Sequence, residues 1–186
     1  MTILILGMAL WWAAHLFKRV FPTVRDRMGN AAKGLMALGI VGAVVLMVVG
    51  YRMAEGSVYW GRAPMWVGIN NLLMVAAFYI YAVGGPGPGK PRVWLGTKLR
   101  HPQLIGFSVW AVAHLLVNGD TPSFVLFGGL LVWALVEMKL INAQDGPWTP
   151  PPRGDARKEA VYVGLTVFIV AVVMALHNWL GVQPWG

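Results

Sequence analysis

The sequence predicts an all-α integral membrane protein, a polytopic bundle of six transmembrane helices with both termini outside the cytoplasm. Two observations lead to this fold class. Hydrophobic residues make up 58% of the 186 residues, and they are gathered into six long segments that hold few charges. The Lys and Arg residues, which give a net charge of +8, lie almost entirely in alternate loops between those segments. Long apolar segments predict transmembrane helices, and the basic loops predict their orientation.

Each of the six segments approaches the length that a bilayer requires. A hydrocarbon core of ~30 Å needs about 20 mostly apolar residues per helix. The predicted spans cover roughly residues 2–17, 32–51, 64–83, 102–118, 122–141 and 159–180. The first and fourth are short, so local thinning of the bilayer or tilting is expected there. The first span lacks a preceding basic region, which favours a retained helix over a signal peptide.

The basic residues predict which loops face the cytoplasm. All of the 15 Lys and Arg residues except Arg52 and Arg62 fall into three clusters. Short loops rich in Lys and Arg stay in the cytoplasm, so the three clusters are placed inside. The spread of charge over three loops argues against a nucleic-acid partner. The clusters are Lys18, Arg19, Arg25, Arg27 and Lys33; Lys90, Arg92, Lys98 and Arg100; and Lys139, Arg153, Arg157 and Lys158.

The parts outside the spans are small. The stretch GGPGPGKPR (84–92) is predicted to be a kinked connector, and DGPWTPPPR (145–153) a proline-rich linker. Tryptophans near the span ends suit an interfacial belt. They are Trp60, Trp66, Trp94, Trp179 and Trp185. The chain contains no cysteine, so neither a disulfide nor a thiolate ligand is available.

Histidines within the spans are the main candidates for a functional site. Ionisable residues inside a membrane are costly to bury and are therefore functional hypotheses by default. At 1.5 Å per helical residue, His114 and His177 share one depth, and His15 and His101 share another. Glu137 lies near the end of the fifth span, where it could pair with Arg100 or His101, orient a histidine or shuttle a proton.

Helical spacing places polar and aromatic residues on common faces. The fourth span carries Gln103, Phe107, Trp110, His114 and Asn118; the first carries Met8, Trp11, Trp12 and His15; the third carries Asn70, Asn71, Met74 and Phe78. Aromatic rings beside imidazoles predict a pocket for a flat, apolar ligand. The same residues are also typical of a helix interface held by side-chain hydrogen bonds.

Three segments closely resemble the NnrU family of bacterial membrane proteins: WWAAHLFKR (11–19), RHPQLIGFSVWAVAHLLVNGD (100–120) and LFGGLLVWALVEMKLIN (126–142). The resemblance runs through nearly the whole chain, including HNWLG (177–181), and implies a single NnrU-like transmembrane domain over residues 1–186. It also implies a multi-pass location in a bacterial inner membrane. A further implication is a link to nitrite and nitric oxide reduction in denitrifying bacteria, with partners in nitrogen-oxide respiration.

The same residues are similar to 15-cis-zeta-carotene isomerase, a membrane enzyme that binds haem b and isomerises a polyene. Its RHPQ…W…AH segment matches Arg100 to His114, and its first-span histidine matches His15. The resemblance implies His15 and His114 as iron ligands and a haem-dependent redox or isomerase reaction on an apolar substrate. A cysteine of the isomerase is replaced by Ala111, so no thiolate can exchange as a ligand.

The implied ligand pair conflicts with the depth of the two histidines. His15 and His114 differ by about 16 Å along the membrane normal if both helices are upright. His177 is therefore the substitute for His15, since it shares the depth of His114. Other side chains predicted to line the haem or hydrogen-bond around it are Trp110, Gln103, Asn118, Asn70 and Asn71.

An alternative function rests on a shorter resemblance. RHPxxxG also occurs in isoprenylcysteine carboxyl methyltransferases, where it helps bind S-adenosylmethionine. Those enzymes carry a second motif with acids and a tyrosine, whereas residues 136–148 here have one acid on the helix and no tyrosine. The alternatives are thus a haem protein, enzymatic or accessory, and a membrane methyltransferase.

Overall fold

The computed structural model describes residues 1–87 and 89–184 and confirms the all-α prediction. Its helices are α1 (Thr2–Val20), α2 (Pro22–Met28), α3 (Asn30–Met53), α4 (Pro64–Ala82), α5 (Pro102–Val117), α6 (Thr121–Ser123), α7 (Gly129–Asp145) and α8 (Arg157–Trp179). A 3-10 turn covers Trp94–Thr97, and a π-helical turn over Phe124–Gly128 joins α6 to α7. Two short strands, β1 (Val58–Trp60) and β2 (Gly119–Asp120), pair with each other. Pro88, in the predicted connector, and Trp185, in the predicted belt, lie outside the described residues.

Each predicted span corresponds to a helical segment. Within the described residues, five helices are long and apolar enough to cross a membrane, namely α1, α3, α4, the continuous segment Thr121–Asp145, and α8. Helix α5 is apolar but has only 16 residues. It is therefore about 24 Å long, shorter than the ~30 Å hydrocarbon core. The chain is accordingly a multi-pass membrane protein.

Large apolar side chains cover the outer faces of these helices. Leu38 in α3 is 72% exposed, Leu72 in α4 is 73% exposed, and Phe168 in α8 is 65% exposed. In water such surfaces would promote association, but lipid tails are as apolar as these side chains. These exposed apolar faces are therefore consistent with a position in a lipid bilayer.

The first basic loop is more helical than the sequence predicted. Helix α1 continues through Lys18 and Arg19 to Val20. Cations are favourable at the negative end of a helix, and their long side chains can reach the membrane surface. Helix α2 then begins at Pro22, because proline suits the first helical turn. At seven residues α2 is too short to produce a clear periodic pattern in the sequence.

Two compact units divide the chain. The first unit comprises Met1–Tyr59 and Gly119–Gln144, and the second comprises Trp60–Asn118 and the chain from Asp145 onward. In the first unit α1 packs closely on α3, since Gly50 adjoins the backbone of Leu4. Helix α7 packs on α1, where Trp12 Nε1 donates a hydrogen bond of 3.3 Å to the carbonyl of Gly129.

The second unit is built on α4, α5 and α8. A Cβ atom on Gly106 of α5 would lie 2.6 Å from the carbonyl oxygen of Ala77 and 2.7 Å from the amide nitrogen of Tyr81. Glycine therefore permits the close approach of α4 and α5. Helix α8 joins α4 through a hydrogen bond of 3.0 Å from the Tyr79 hydroxyl to Glu159.

Candidate functional site

His15 lies among aromatic rings in the first unit. Its Nδ1 atom is 3.0 Å from the carbonyl oxygen of Trp11, one helical turn earlier. The centroids of the His15 and Trp11 rings are 4.0 Å apart, and Trp133 of α7 places its ring 4.7 Å from the imidazole. Trp133 is 5% exposed, so this side of the imidazole is closed to solvent. Two indoles thus hold one imidazole in a fixed orientation.

His114 has the same local arrangement in the second unit. Its Nδ1 atom is 3.1 Å from the carbonyl oxygen of Trp110, and the two ring centroids are 4.6 Å apart. Phe107 extends this aromatic row, with its ring 5.0 Å from that of Trp110. The predicted stripe on the fourth span is therefore confirmed for these three residues.

Both histidines thus belong to a Trp-x-x-x-His arrangement, WWAAH at 11–15 and WAVAH at 110–114. The four-residue spacing lets each imidazole reach the carbonyl of its own tryptophan while the rings remain in contact. Helical spacing had already placed each tryptophan on one face with its histidine. The repetition of the spacing becomes visible only when the two helices are compared with each other.

The hydrogen bonds determine which imidazole nitrogen bears the proton. A carbonyl oxygen only accepts, so Nδ1 of His15 and of His114 must be the donor. In the neutral imidazole, Nε2 then bears the lone pair. Histidines that ligate metals commonly donate their other ring N–H to a backbone carbonyl in this way. Both side chains therefore have the tautomer in which Nε2 carries no proton, one of the two forms in which a neutral imidazole can ligate a metal.

His177 resembles these two histidines in part. Its Nδ1 atom donates to the carbonyl of Val173 at 2.8 Å, and it lies within electrostatic range of His114 in the same unit. Sequence depth had paired the same two histidines. Val173 stands where the other two sites have a tryptophan, so the aromatic partner of the arrangement is replaced by a branched aliphatic residue.

The predicted amides are placed less favourably. Asn118 Nδ2 donates to the backbone carbonyl of His114 at 2.9 Å, so it helps to end α5 rather than bonding to the imidazole. Gln103 precedes His114 by three helical turns, about 16 Å, and lies against Gly84 instead. Asn70 donates to Asn71, which in turn donates to the carbonyl of Pro184.

Glu137 is a buried acid of the first unit. Its side chain is 6% exposed, and Oε2 has no hydrogen-bond partner among the described residues. The cations that interact with it are Lys18 and Arg19, at the end of α1. The pairing with Arg100 or His101 that the sequence suggested stays a prediction. Buried acids favour nearby cations, and two cations of α1 act on this one.

The side chains available as metal ligands exclude one type of metal site and suit another. Within residues 1–87 and 89–184, no three His, Asp or Glu side chains form a group that could hold a metal ion. A site built from protein ligands alone, such as a tetrahedral zinc site, is therefore not present in that part of the chain. Haem iron needs only axial ligands from the protein, because the porphyrin supplies the other four. Single imidazoles with Nδ1 bonded and aromatic neighbours fit that requirement.

Taken together, these features define a polytopic helical membrane protein with oriented imidazoles inside its apolar helices. The chain belongs to the NnrU protein family, whose model matches residues 3–184. The predicted resemblance to that family is confirmed. Neither the curated proteins nor the solved structures gave a significant match.

Proposed function

We propose that this protein binds haem b in a bacterial inner membrane and that His114 ligates the iron. The observation that carries the proposal is the arrangement of Trp110 and His114, in which the Nδ1 bond to the Trp110 carbonyl gives the tautomer with the lone pair on Nε2. The resemblance to the isomerase adds His15 as the second ligand, and the matching arrangement with Trp11 supports it. The backbone carbonyls of the two tryptophans hold the tautomer, and the aromatic rings exclude water.

We further propose that the haem serves a redox or isomerase reaction on an apolar small molecule, such as a polyene. When bound, the haem supplies an iron that can accept and release one electron. A cavity of about 290 Å³ in the second unit supports the class of substrate. It adjoins the aromatic row that ends at His114, and apolar walls favour an apolar ligand. Its lining residues are Ala77, Phe78, Tyr81, Gly106, Phe107 and Trp110.

The family adds a physiological setting. NnrU proteins are linked to nitrite and nitric oxide reduction, so we place this protein in denitrification-linked metabolism, as an enzyme or as an accessory to nitrogen-oxide respiration. The haem proposal does not depend on which of these roles it performs.

The test of the haem proposal is the visible spectrum of the purified protein. We expect a Soret band and sharp low-spin α and β bands after dithionite reduction, because two imidazole ligands give a low-spin iron. Extraction as a pyridine complex should identify haem b. Folded protein that stays colourless after expression with a haem precursor and incubation with hemin would contradict the proposal.

We also propose six spans with both termini outside. Contacts within the first unit show that α1 and α7 run in the same direction: Trp12 bonds to Gly129, and Arg19 bonds to Gln144 further along both helices. Two parallel helices must be separated by an odd number of crossings. Helices α3 and α4 provide two, so α5 provides the third despite its length.

Loop contacts support the same topology. Ser57 accepts a hydrogen bond of 3.0 Å from the amide of Thr121, which joins the two loops that are poor in basic residues. Arg92 and Arg153 form a parallel bridge, which joins two of the basic loops. Loops that touch lie on the same side of the membrane, and the positive-inside rule places the basic loops in the cytoplasm.

Reporter fusions test this topology. We expect fusions after Arg27, near Lys90 and near Arg153 to report the cytoplasm. Fusions near Glu55 and Asp120, and at Gly186 outside the described residues, should report the outer side. The C-terminal fusion is decisive, because a cytoplasmic C-terminus together with an outer N-terminus requires an odd number of crossings. That result would exclude α5 or another helix as a span.

A further inference from the structure

Two cytoplasm-facing loops of the proposed topology are bound together in the second unit. The amide of Arg92 donates to the carbonyl of Pro152 at 3.0 Å, and the amide of Gly154 donates to the carbonyl of Arg92 at 2.7 Å. These hydrogen bonds join the predicted connector (84–92) to the end of the predicted proline-rich linker (145–153). Neither segment is a free linker, because each supplies one side of the bridge.

Glu159 fixes the 3-10 turn beside this bridge. Its Oε1 accepts a hydrogen bond of 2.6 Å from the amide of Trp94, and its Oε2 accepts one of 3.0 Å from the Tyr79 hydroxyl. The Thr97 hydroxyl donates to the carbonyl of Trp94 at 2.7 Å. Glu159, in the first turn of α8, thus links the 3-10 turn to both α4 and α8.

A cavity of about 470 Å³ lies between the joined loops, and its described lining includes no acidic side chain. Two cations face it, Lys98 and Arg153, and neither forms a salt bridge within the described part of the chain. Two indoles and two prolines supply its apolar wall. The complete described lining is Trp94, Thr97, Lys98, Trp148, Pro150, Pro151 and Arg153.

The cavity is at the membrane surface. Helix α4 ends at Ala82, α5 begins at Pro102 and α8 begins at Arg157, so the joined loops lie at one end of all three helices. Trp94, which is 52% exposed, has the position expected of an interfacial tryptophan. A ligand of this cavity can therefore have both a polar part in water and an apolar part in lipid.

We infer that this cavity binds the phosphodiester headgroup of an anionic phospholipid. Arg153 and Lys98 supply charge-assisted hydrogen bonds to the phosphate, and the indoles contact the glycerol and upper acyl chains. Basic pockets beside transmembrane helices are a known means of holding anionic headgroups. Lipid binding at this cavity depends neither on bound haem nor on the side of the membrane that the loops face. It requires only that these loops lie at a membrane surface.

The experiment compares lipids on the purified full-length protein in a neutral detergent. We expect dioleoylphosphatidylglycerol to raise the Tm in a saturable way, because a ligand that binds only the folded state stabilises it. Dioleoylphosphatidylcholine should have a much smaller effect. The double variant Lys98→Gln/Arg153→Gln should raise the half-saturating concentration of the anionic lipid about 30-fold, as two lost cationic contacts of ~1 kcal/mol each predict.

Two controls separate a binding site from general charge. Arg27→Gln/Lys33→Gln also removes one Arg and one Lys, at residues that do not line the cavity, and should respond as the wild type does. Lys98→Arg/Arg153→Lys keeps both charges and should keep most of the response, which distinguishes lost binding from lost folding.

Other outcomes overturn the inference. An equal response of Lys98→Gln/Arg153→Gln and wild type would show that the lipid acts elsewhere. An equal shift with glycerol 3-phosphate or inorganic phosphate would assign the cavity to a free phosphate compound. A larger shift with ATP would assign it to a nucleotide that stacks on the indoles.

Discussion

The variant His114→Ala should lose its haem entirely. In the proposal this imidazole would hold the iron. The position of the imidazole is set by the Trp110 carbonyl, 3.1 Å from Nδ1, and by the Trp110 ring, 4.6 Å away between centroids. Alanine supplies no ligand, and the adjoining aromatic row offers none. The measurement is the Soret absorbance per mole of folded protein, with folding checked by gel filtration and circular dichroism. In a titration with hemin we expect the Kd to rise at least about tenfold, which corresponds to a loss of at least ~1.4 kcal/mol of binding free energy.

Variants of the other histidines identify the second ligand. We expect His15→Ala to lose haem or to leave a high-spin form, and added imidazole to restore the low-spin bands in that form. A purely structural role for His15 would not produce rescue by a free ligand. His177→Ala should retain the wild-type spectrum, although it removes an imidazole that interacts with His114.

Other spectra of the same variants would contradict the assignment of His114 and His15 as iron ligands. Loss of haem in His177→Ala, with a wild-type spectrum in His15→Ala, would replace His15 by His177 as the second ligand. Wild-type spectra in folded His114→Ala and His15→Ala would exclude both histidines as iron ligands. His101→Ala is a useful reference, because His101 precedes the first turn of α5 and has no assigned role at the iron.

The substitution Gly50→Leu should be strongly destabilising. A Cβ atom at Gly50 would clash with the backbone nitrogen and Cα atom of Leu4, and backbone cannot move aside as a flexible side chain can. Overpacking of a well-packed interface costs about 1–3 kcal/mol, and we expect the upper part of that range. The packing of α1 on α3 would loosen, with a lower Tm and faster proteolysis in detergent as the measurements.

Gly34→Leu is the matched control in the same helix. A Cβ atom there meets no atom within 4 Å, so the same change of residue is tolerated sterically. Both substitutions remove a poor helix former, which favours the helix by about 1 kcal/mol in each case. The difference between the two variants therefore measures the clash alone. Equal Tm values would show that α1 and α3 are not packed as closely as the structure has them.

The helices of this protein could be predicted because a membrane leaves the backbone few choices. Backbone groups must be hydrogen-bonded within lipid, so each apolar segment of sufficient length becomes a helix. Pro64 and Pro102 then mark the first turns of α4 and α5, where proline is tolerated. The extension of α1 through Arg19 was missed, since charged residues interrupt the apolar pattern without interrupting the helix.

The candidate site was predicted where the side chains belong to one helix. Steps of three and four residues placed Phe107, Trp110 and His114 on one face, and the structure joins their rings. Helical spacing could not place Gln103, because a shared face does not imply contact over three turns. The amides Asn70 and Asn71 bond to each other and to Pro184, which no helical pattern predicts.

The sequence by itself determined the helical class, the position of the apolar segments, the alternation of basic loops and the family. The first three follow from local composition and from the energetic cost of placing charges and free backbone groups in lipid. The family follows from the resemblance of particular segments, and a family model that matches residues 3–184 confirms it. Only the tertiary structure decided that Trp133 lies against His15, that α1 cations accompany Glu137, and that the loops around Arg92 and Arg153 are joined. Those pairings join residues about 60 to 120 positions apart, and they depend on how whole helices pack, which no local pattern encodes.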